Sequence, residues 1–560
     1  MANYLLALAS EKKSTMVRAW AGQDARSIPI AGGHLFVIAN GSTIRPDGSF
    51  FKGYVIDHER RTIGLSGGAY APDARSHMEG CYVCAQPEGK RYTIGADAFA
   101  QFPMLFFAEH GIVAVSDSMF ALTKLRKYLG LPCKIDEDTA LARSWLNAMA
   151  AQQLSDRTLI AGIHFCPPGT TLSATAEGDM TVERTPARHL FQNDIRNYSD
   201  EIRQGAERSV ALISTFLHIP DARVTLALSG GHDSRVCLAA ALKTGGTIGI
   251  RSNVNRPEDL AVALALGEKF GFDVNKKMAG KAIIADRAIP QHQLERWFFS
   301  NAGLYDPLYA PVSGRDLSLF NISGTGAEMF KGNYGWRKIS AVARIVPEVG
   351  KAFRRDAEHG LEILGIDRAD PHGSEWHYLG YRNAIHAGRS TMLSLLTVRP
   401  FLQKRLVGLS RSTLNAFPAP KKAAPSIVTD LMIVLNPQLA AEPFDTEAKN
   451  LSREFIEERT RVLGSVGQIE PYTVCGNPLD DMLGFPHGFV DRLGHGTKSR
   501  LSSESIAKFA SEGWQKLPQE LQEGFAGLLS MVEQDLAEPI YAASRPSMAA
   551  GKLMAFCLAD

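Results

Sequence analysis

The sequence is poor in the features that mark several protein classes. Seven cysteines are scattered over 560 residues, too few for a disulfide scaffold and in keeping with a reducing cytoplasm. Cys81 and Cys84 make a CxxC in GCYVCAQ. A structural zinc site needs four ligands and no second pair accompanies them, so both are expected to be strand residues in a half-buried sheet. No run reaches the roughly 18 apolar residues that a membrane helix needs. The 61 Lys and Arg against 59 Asp and Glu leave a formal net charge of +2, so no overall field draws the chain to nucleic acid or to an anionic membrane. In MANYLLALASEKKS the lysines follow the apolar patch, whereas a secretory signal places basic residues ahead of it. A cytoplasmic location is therefore expected. Internal repeats and low-complexity tracts are also missing.

What is present points to a globular chain with more than one domain. The hydrophobic fraction is 45% and the charged fraction 21%, ordinary for a globular protein, and the length exceeds one compact core. The first 190 or so residues read as β-rich: HLFVIANGS, GYVIDHE, CYVCAQ, RYTIGAD, MLFFAE and GIVAVSD are short β-branched or aromatic runs divided by turn signals. From Tyr198 the pattern changes to long helical periodicities broken by the short strands VTLAL, GTIGI and SLFNIS, the alternation of a parallel α/β sheet. The remainder, from about Ser340, is mostly helical, and PAPKKAAP at Pro418–Pro425 reads as a loop.

The most informative stretch is RVTLALSGGHDSRVCLAAALKTGG. A short strand carrying Val224, Leu226 and Leu228 stops at Ser229-Gly230-Gly231, and an alanine- and leucine-rich helix follows. Glycine tolerates positive φ and brings no Cβ, so backbone amides can converge on one point. Free amides and the positive end of a helix dipole facing the same space make an anion site. The spacing is neither that of GxxxxGK[ST], since no lysine is present, nor that of GxGxxG.

These residues resemble the SGGxDS loop of the ATP pyrophosphatases, through Ser229, Gly230, Gly231, Asp233 and Ser234. The resemblance implies that the loop, with Leu228 at its entry, holds the phosphates of ATP that leave as pyrophosphate, and that Asp233 serves magnesium, a hard cation that takes oxygen ligands. A second stretch, SLFNISGTGAEMFKGNY, resembles a glycine-rich loop of the asparagine synthetase family through Ser323, Gly324, Gly326, Ala327, Gly332 and Tyr334. Glu328 stands where that family has its second magnesium-binding aspartate, Met329 replaces a neighbouring acid, and Thr325 stands where relatives carry a base that threonine cannot supply. In VRPFLQKRLVGLS, Gln403 replaces an aspartate of the family's PFLD-type stretch. The resemblance implies that the strand end GTIGIRSN lies along the nucleotide, which makes Arg251 and Ser252 candidate contacts. The resemblance also implies a lysine that steadies the intermediate: Lys449 in PFDTEAKN is the candidate, with Lys421, Lys422 and Lys498 in competition. His232 and Arg235 fill variable places. Arg235 either reaches phosphate or sits on the helix surface, and Glu375, Trp376, His377 and Arg382 either line a pocket or pack in a helical core.

Through GCYVCAQPEGKRYTIGADAFAQFPMLFFAEHGIVAVSDSMFAL and the closing IAGIHFCPPGTTL, the first domain resembles the glutamine amidotransferase domain of asparagine synthetases, so the expected fold class is α/β: a β-rich αββα sandwich over residues 1–195, then a parallel α/β ATP-pyrophosphatase domain with a helical extension over 196–560. One departure decides much. That family has a cysteine after the initiator methionine, and its thiolate attacks glutamine. Here Met1-Ala2-Asn3 opens the chain and the first cysteine is Cys81, so no glutaminase activity is expected. The resemblance still implies an ATP- and magnesium-dependent carbon–nitrogen ligase, expected to adenylate a carboxylate on a peptide or small molecule and to couple it to an amine. Cysteine-less relatives such as β-lactam synthetases and lasso-peptide cyclases favour an amine on the same substrate, with a precursor-processing protein as one implied companion. Two alternatives stay open: an enzyme using ammonia or a separate amine on a glycan or natural-product carboxylate, and a non-catalytic nucleotide-binding scaffold. Nucleic acid and membrane are not among the expected partners.

Overall fold

The structure, a computed structural model, describes residues 4–41, 43–191, 195–280, 282, 293–308, 316–345, 349–388, 396–477, 484–494, 501–536 and 544–560. It is a mixed α/β molecule, as expected, organised by three sheets. The first runs in the order β10 (His164–Cys166), β8 (Met104–Glu109), β9 (Ile112–Ser116), β1 (Tyr4–Ser10), β3 (Gly33–Ala39) and β2 (Arg26–Ile30). The second runs β12 (Met180–Arg184), β11 (Thr170–Ala174), β7 (Arg91–Ala96), β6 (Glu79–Glu88), β4 (Phe50–Asp57), β5 (Thr62–Leu65) and β17 (Thr473–Cys475).

Tyr4 to Ala9 are all buried along β1. Successive strand residues point to opposite faces, so both faces of this sheet are covered. The Tyr4 ring meets Phe50 of β4 at 5.9 Å, which joins the two sheets across one core. On the other face the helix Glu11–Ala21 packs on β1 and β3 through Val17 and Trp20. Cys81 and Cys84 are strand residues as expected: both are buried thiols in β6. Cys81 belongs to the main core and Cys84 to a smaller cluster with Phe51, Val55 and Tyr82.

The third sheet is parallel throughout, in the order β14 (Gly249–Arg251), β13 (Arg223–Ala227), β15 (Leu319–Ile322) and β16 (Leu396–Val398). The helix His232–Lys243 follows β13 and is covered by Tyr198–Leu217 and by the wholly buried Ile427–Leu435. Pro418–Pro425 is a loop, as its composition indicates. The C-terminal part is not separate from the first sandwich. β17 pairs in parallel with β5, and the side chain of Asp560 accepts the Cys133 N–H at 2.7 Å.

Candidate functional site

Because β14, β13 and β15 are parallel, their carboxyl ends open on one side, where open α/β sheets place their ligands. The turn after β13 is tied at its entry, where the Leu228 N–H donates to Arg251 O at 2.7 Å. It then closes on itself. The Ser229 N–H donates to Ser234 Oγ at 3.0 Å, the two hydroxyls lie 3.0 Å apart, and Ser234 Oγ donates back to Ser229 O at 3.2 Å. The two glycines do different work. A Cβ on Gly230 would stand 2.3 Å from Asp445 Cβ, so this position admits the backbone of a neighbouring segment. A Cβ on Gly231 would meet nothing nearer than Ser229 Oγ at 3.8 Å, so the turn is open above it. The Gly230 N–H donates at 2.7 Å to Oδ1 of Asp259, which lies in the first turn of the helix Pro257–Phe270. A carboxylate of the chain thus sits on a loop amide where an anion is expected.

Asp233 lies in the first turn of the helix His232–Lys243. Its neighbour is Lys331, 6% exposed, whose Nζ donates to Oδ2 at 2.8 Å and stands 2.7 Å from Oδ1. Glu328 comes from the turn after β15. Its Oε1 accepts from Tyr378 OH at 2.7 Å and its Oε2 from the Gly326 N–H. Burial first, then the charge of Asp233, push the Glu328 carboxyl above the usual range. The two turns touch, since a Cβ on Gly324 would be 2.2 Å from Asp233 O. Two acids from neighbouring strand ends are therefore brought together, the donor set a hard cation takes. Among the described residues no group of three or more His, Cys, Asp or Glu side chains could hold a metal. An ion here would draw its remaining ligands from phosphate or water.

These residues border a cavity of about 590 Å³. Of the residues singled out in the sequence, Leu228, Ser229, Asp233, Ser234, Arg251, Ser323, Gly324 and Glu328 line it, with Thr325, Arg382 and Lys422. Gly230, Gly231, Gly326, Ser252 and Lys449 do not. Ser252 donates its N–H to Asn275 Oδ1 at 2.9 Å, and its buried hydroxyl has no partner among the described residues. Lys449 lies behind the loop: both oxygens of Asp445 are 2.7 Å from its Nζ, and its carbonyl accepts from His232 Nε2 at 2.9 Å. Lys498 and the Met1-Ala2-Asn3 start lie outside the described residues.

Arg235 neither reaches the cavity nor sits on a surface. It is buried, donates to Glu442 O at 2.6 Å and Pro443 O at 2.7 Å, and lies 3.6 Å over the Phe444 ring, which also meets the His232 ring edge-on at 4.6 Å. His232 and Arg235 thus clamp residues 442–450 behind the loop. Gln403 is buried too, its amide donating to Gly205 O, Ser209 Oγ and Pro400 O. Glu375, Trp376 and His377 pack in the core. Glu375 accepts the Tyr334 N–H, and His377 shares a 2.8 Å bond with Leu154 O, with burial pushing it down to about 4. Sequence reading missed Lys331, Asp259, Tyr378 and His386. Lys331 stands inside a quoted loop but carries no motif of its own, and the other three reach the site only through tertiary packing.

No family model matches the sequence, and no curated protein matches it. Among solved structures, the chain is similar to one described as the allosteric regulatory enzyme of purine biosynthesis, at 9% identity over 62% of this chain and 78% of that one, with a TM-score of 0.20. It is also similar to glutamine phosphoribosylpyrophosphate amidotransferase from B. subtilis, complexed with ADP and GMP, at 9% identity over 62% and 79%, with a TM-score of 0.19. A likeness this remote carries no argument about the site.

Proposed function

We propose that the chain is an ATP-dependent amide-bond-forming ligase: it joins a substrate carboxylate to AMP with release of pyrophosphate, then couples the acyl group to an amine, one on the same substrate in the first reading. The observation that carries this reading is that Asp233 and Glu328, from two neighbouring turns of a parallel sheet, face one cavity together with Ser229 and Ser234. Magnesium held between these acids and the phosphates would neutralise charge growing on the departing pyrophosphate. The chain's own groups do the rest. The open turn at Gly231 gives a phosphate room to approach, and Arg251 supplies a cation at the cavity rim. Donors fixed in place before reaction cost no reorganisation when charge develops. The cavity also holds acyl and phosphoryl groups in one space, which replaces an encounter in solution.

ATP–pyrophosphate exchange over a panel of carboxylic acids tests the reading. Exchange with any acid supports it. Silence with every acid, while ATP still binds, favours the second reading, a nucleotide-binding scaffold without turnover. A specific observation favours that second reading. Both ligand positions are met from within the chain, the neutral Gly230 N–H by Asp259 and the Asp233 carboxylate by Lys331, so a nucleotide and its metal must displace or share these partners before any turnover.

A further inference from the structure

Arg382 carries a charge that the described structure leaves without a counter-ion. It lies on Tyr378–Ala387, a helical stretch with the wider π hydrogen-bond pattern, a geometry frequent at functional sites. Its Nη1 donates to the neutral Gln152 Oε1 at 2.9 Å, and its guanidinium is 5.5 Å from the Tyr305 ring centroid. The Tyr305 hydroxyl shares a 2.6 Å bond with His386 Nδ1. Burial, then the charges of Arg382 and Arg399, push His386 down to about 3, so that imidazole is neutral at physiological pH. Several sheltered arginines are paired with acids, Arg143 with Asp306 at 2.7 Å, Arg126 with Glu109 and Arg459 with Asp430 at 2.5 Å, whereas the buried Arg235 is held away from the cavity by two carbonyls and the Phe444 ring. Among the described residues Arg382 has no such carboxylate. Withdrawing a charge from water without a counter-charge is costly, and this one lines the cavity that also holds Asp233 and Glu328.

We propose that Arg382 is the receptor for an anionic group of the acyl substrate, a carboxylate docked at the Arg382–His386 end of the cavity. The guanidinium fork matches a carboxylate in two parallel hydrogen bonds. Gln152 and Tyr305 set the plane of that fork, and neutral His386 offers no competing charge. Asp233 and Glu328 would repel an anion without a metal, so the carboxylate docks on Arg382 first; Tyr378, bonded to Glu328, lines the same cavity. The inference rests on the ligase reading only for the fate of that carboxylate.

Binding of succinate, acetate and the neutral succinamide to the full chain, followed by calorimetry and thermal shift beside magnesium-ATP, tests it. Succinate or acetate should bind the parent chain at millimolar concentration and succinamide should not. Arg382→Gln should weaken acid binding by about tenfold or more, the value of a charge-assisted pair, and leave ATP binding unchanged within error. Gln152→Glu, which keeps Arg382 but supplies an internal carboxylate, should weaken acid binding as well. The proposal is overturned if neither acid binds, if succinamide binds as well as succinate, or if both variants bind acids like the parent. Failure of ATP to bind would sink the ligase reading and leave an Arg382-dependent acid response standing, so the two are told apart.

Discussion

Two carboxylates, one in each half of the molecule, show how differently a buried acid can be used. Asp97, at the end of β7 in the sandwich, is 1% exposed and accepts four backbone N–H groups: Phe99 and Gln101 on Oδ1 at 3.0 and 3.1 Å, Phe102 and Tyr82 on Oδ2 at 3.2 and 3.3 Å. Its bonding capacity is absorbed in folding. Asp233, in the parallel-sheet half, faces a cavity and, among the described residues, is met by one side chain, Lys331. A backbone partner cannot leave without unfolding the turn, whereas an ammonium on a flexible stem can be exchanged for another cation. Saturation by the main chain marks a structural acid, and a single displaceable partner marks an acid open to ligands.

The contrast is broken most severely if Asp233 proves structural. Asp233→Asn should reduce ATP–pyrophosphate exchange by at least about a hundredfold, the scale seen when one preorganised electrostatic group is lost, while its thermal midpoint stays within error of the parent. Exchange at the parental rate would remove Asp233 from the site. The reverse holds for Asp97. Asp97→Ala leaves four sheltered N–H groups without an acceptor and should cost about 3 kcal/mol, read from the urea unfolding of the full chain. Asp97 also fixes a pH dependence. Burial outweighs its hydrogen bonds and pushes the folded carboxyl up to about 7, against about 3.9 in an unfolded chain. The folded state then binds more protons, so this group's contribution is fully present below about pH 4 and is lost as pH rises towards 7. Asp97→Asn should flatten that slope, and an unchanged slope would assign it to other groups.

A smaller effect is expected at Asp259, whose carboxylate occupies the Gly230 amide. Asp259→Asn keeps the shape but removes the charge that an incoming phosphate must displace. ATP should bind more tightly by a factor of about five, the range for one partly exposed charge. Weaker binding would instead make Asp259 part of the nucleotide pocket.

Much of this arrangement was legible in the sequence. The strand, turn and helix around Ser229–Ser234 stand where RVTLALSGGHDS places them, because local rules govern that stretch: apolar residues in a short strand, glycines in a turn, a small-residue helix after it. Glu328 was legible because its glycine-rich turn repeats the pattern after β15. The roles of His232, Arg235 and Lys449 were not. They depend on residues 442–450 folding behind the loop, more than 200 positions away, and no local pattern announces such a contact. β17 was hidden for the same reason, since its three residues gain strand character only by pairing with β5.

Lys331 sharpens the comparison at its finest level. If Asp233 is an exchangeable acid, the ammonium beside it competes with any divalent ion for the same two oxygens. Lys331→Met keeps the stem's volume and removes only the competitor. The pair is partly screened, because the Asp233 side chain is 33% exposed although Lys331 is only 8%. The gain is therefore that of a part-exposed ion pair, about 1 kcal/mol or less, or severalfold tighter binding. Mn²⁺ serves as the probe, with free ion counted by its paramagnetic resonance signal in the absence of nucleotide. Tighter Mn²⁺ binding in Lys331→Met, abolished by adding Asp233→Asn, would place the ion on Asp233. Unchanged affinity would mean that the lysine and the metal do not share this carboxylate, and Asp233 would then belong with Asp97 among the acids that only hold the fold.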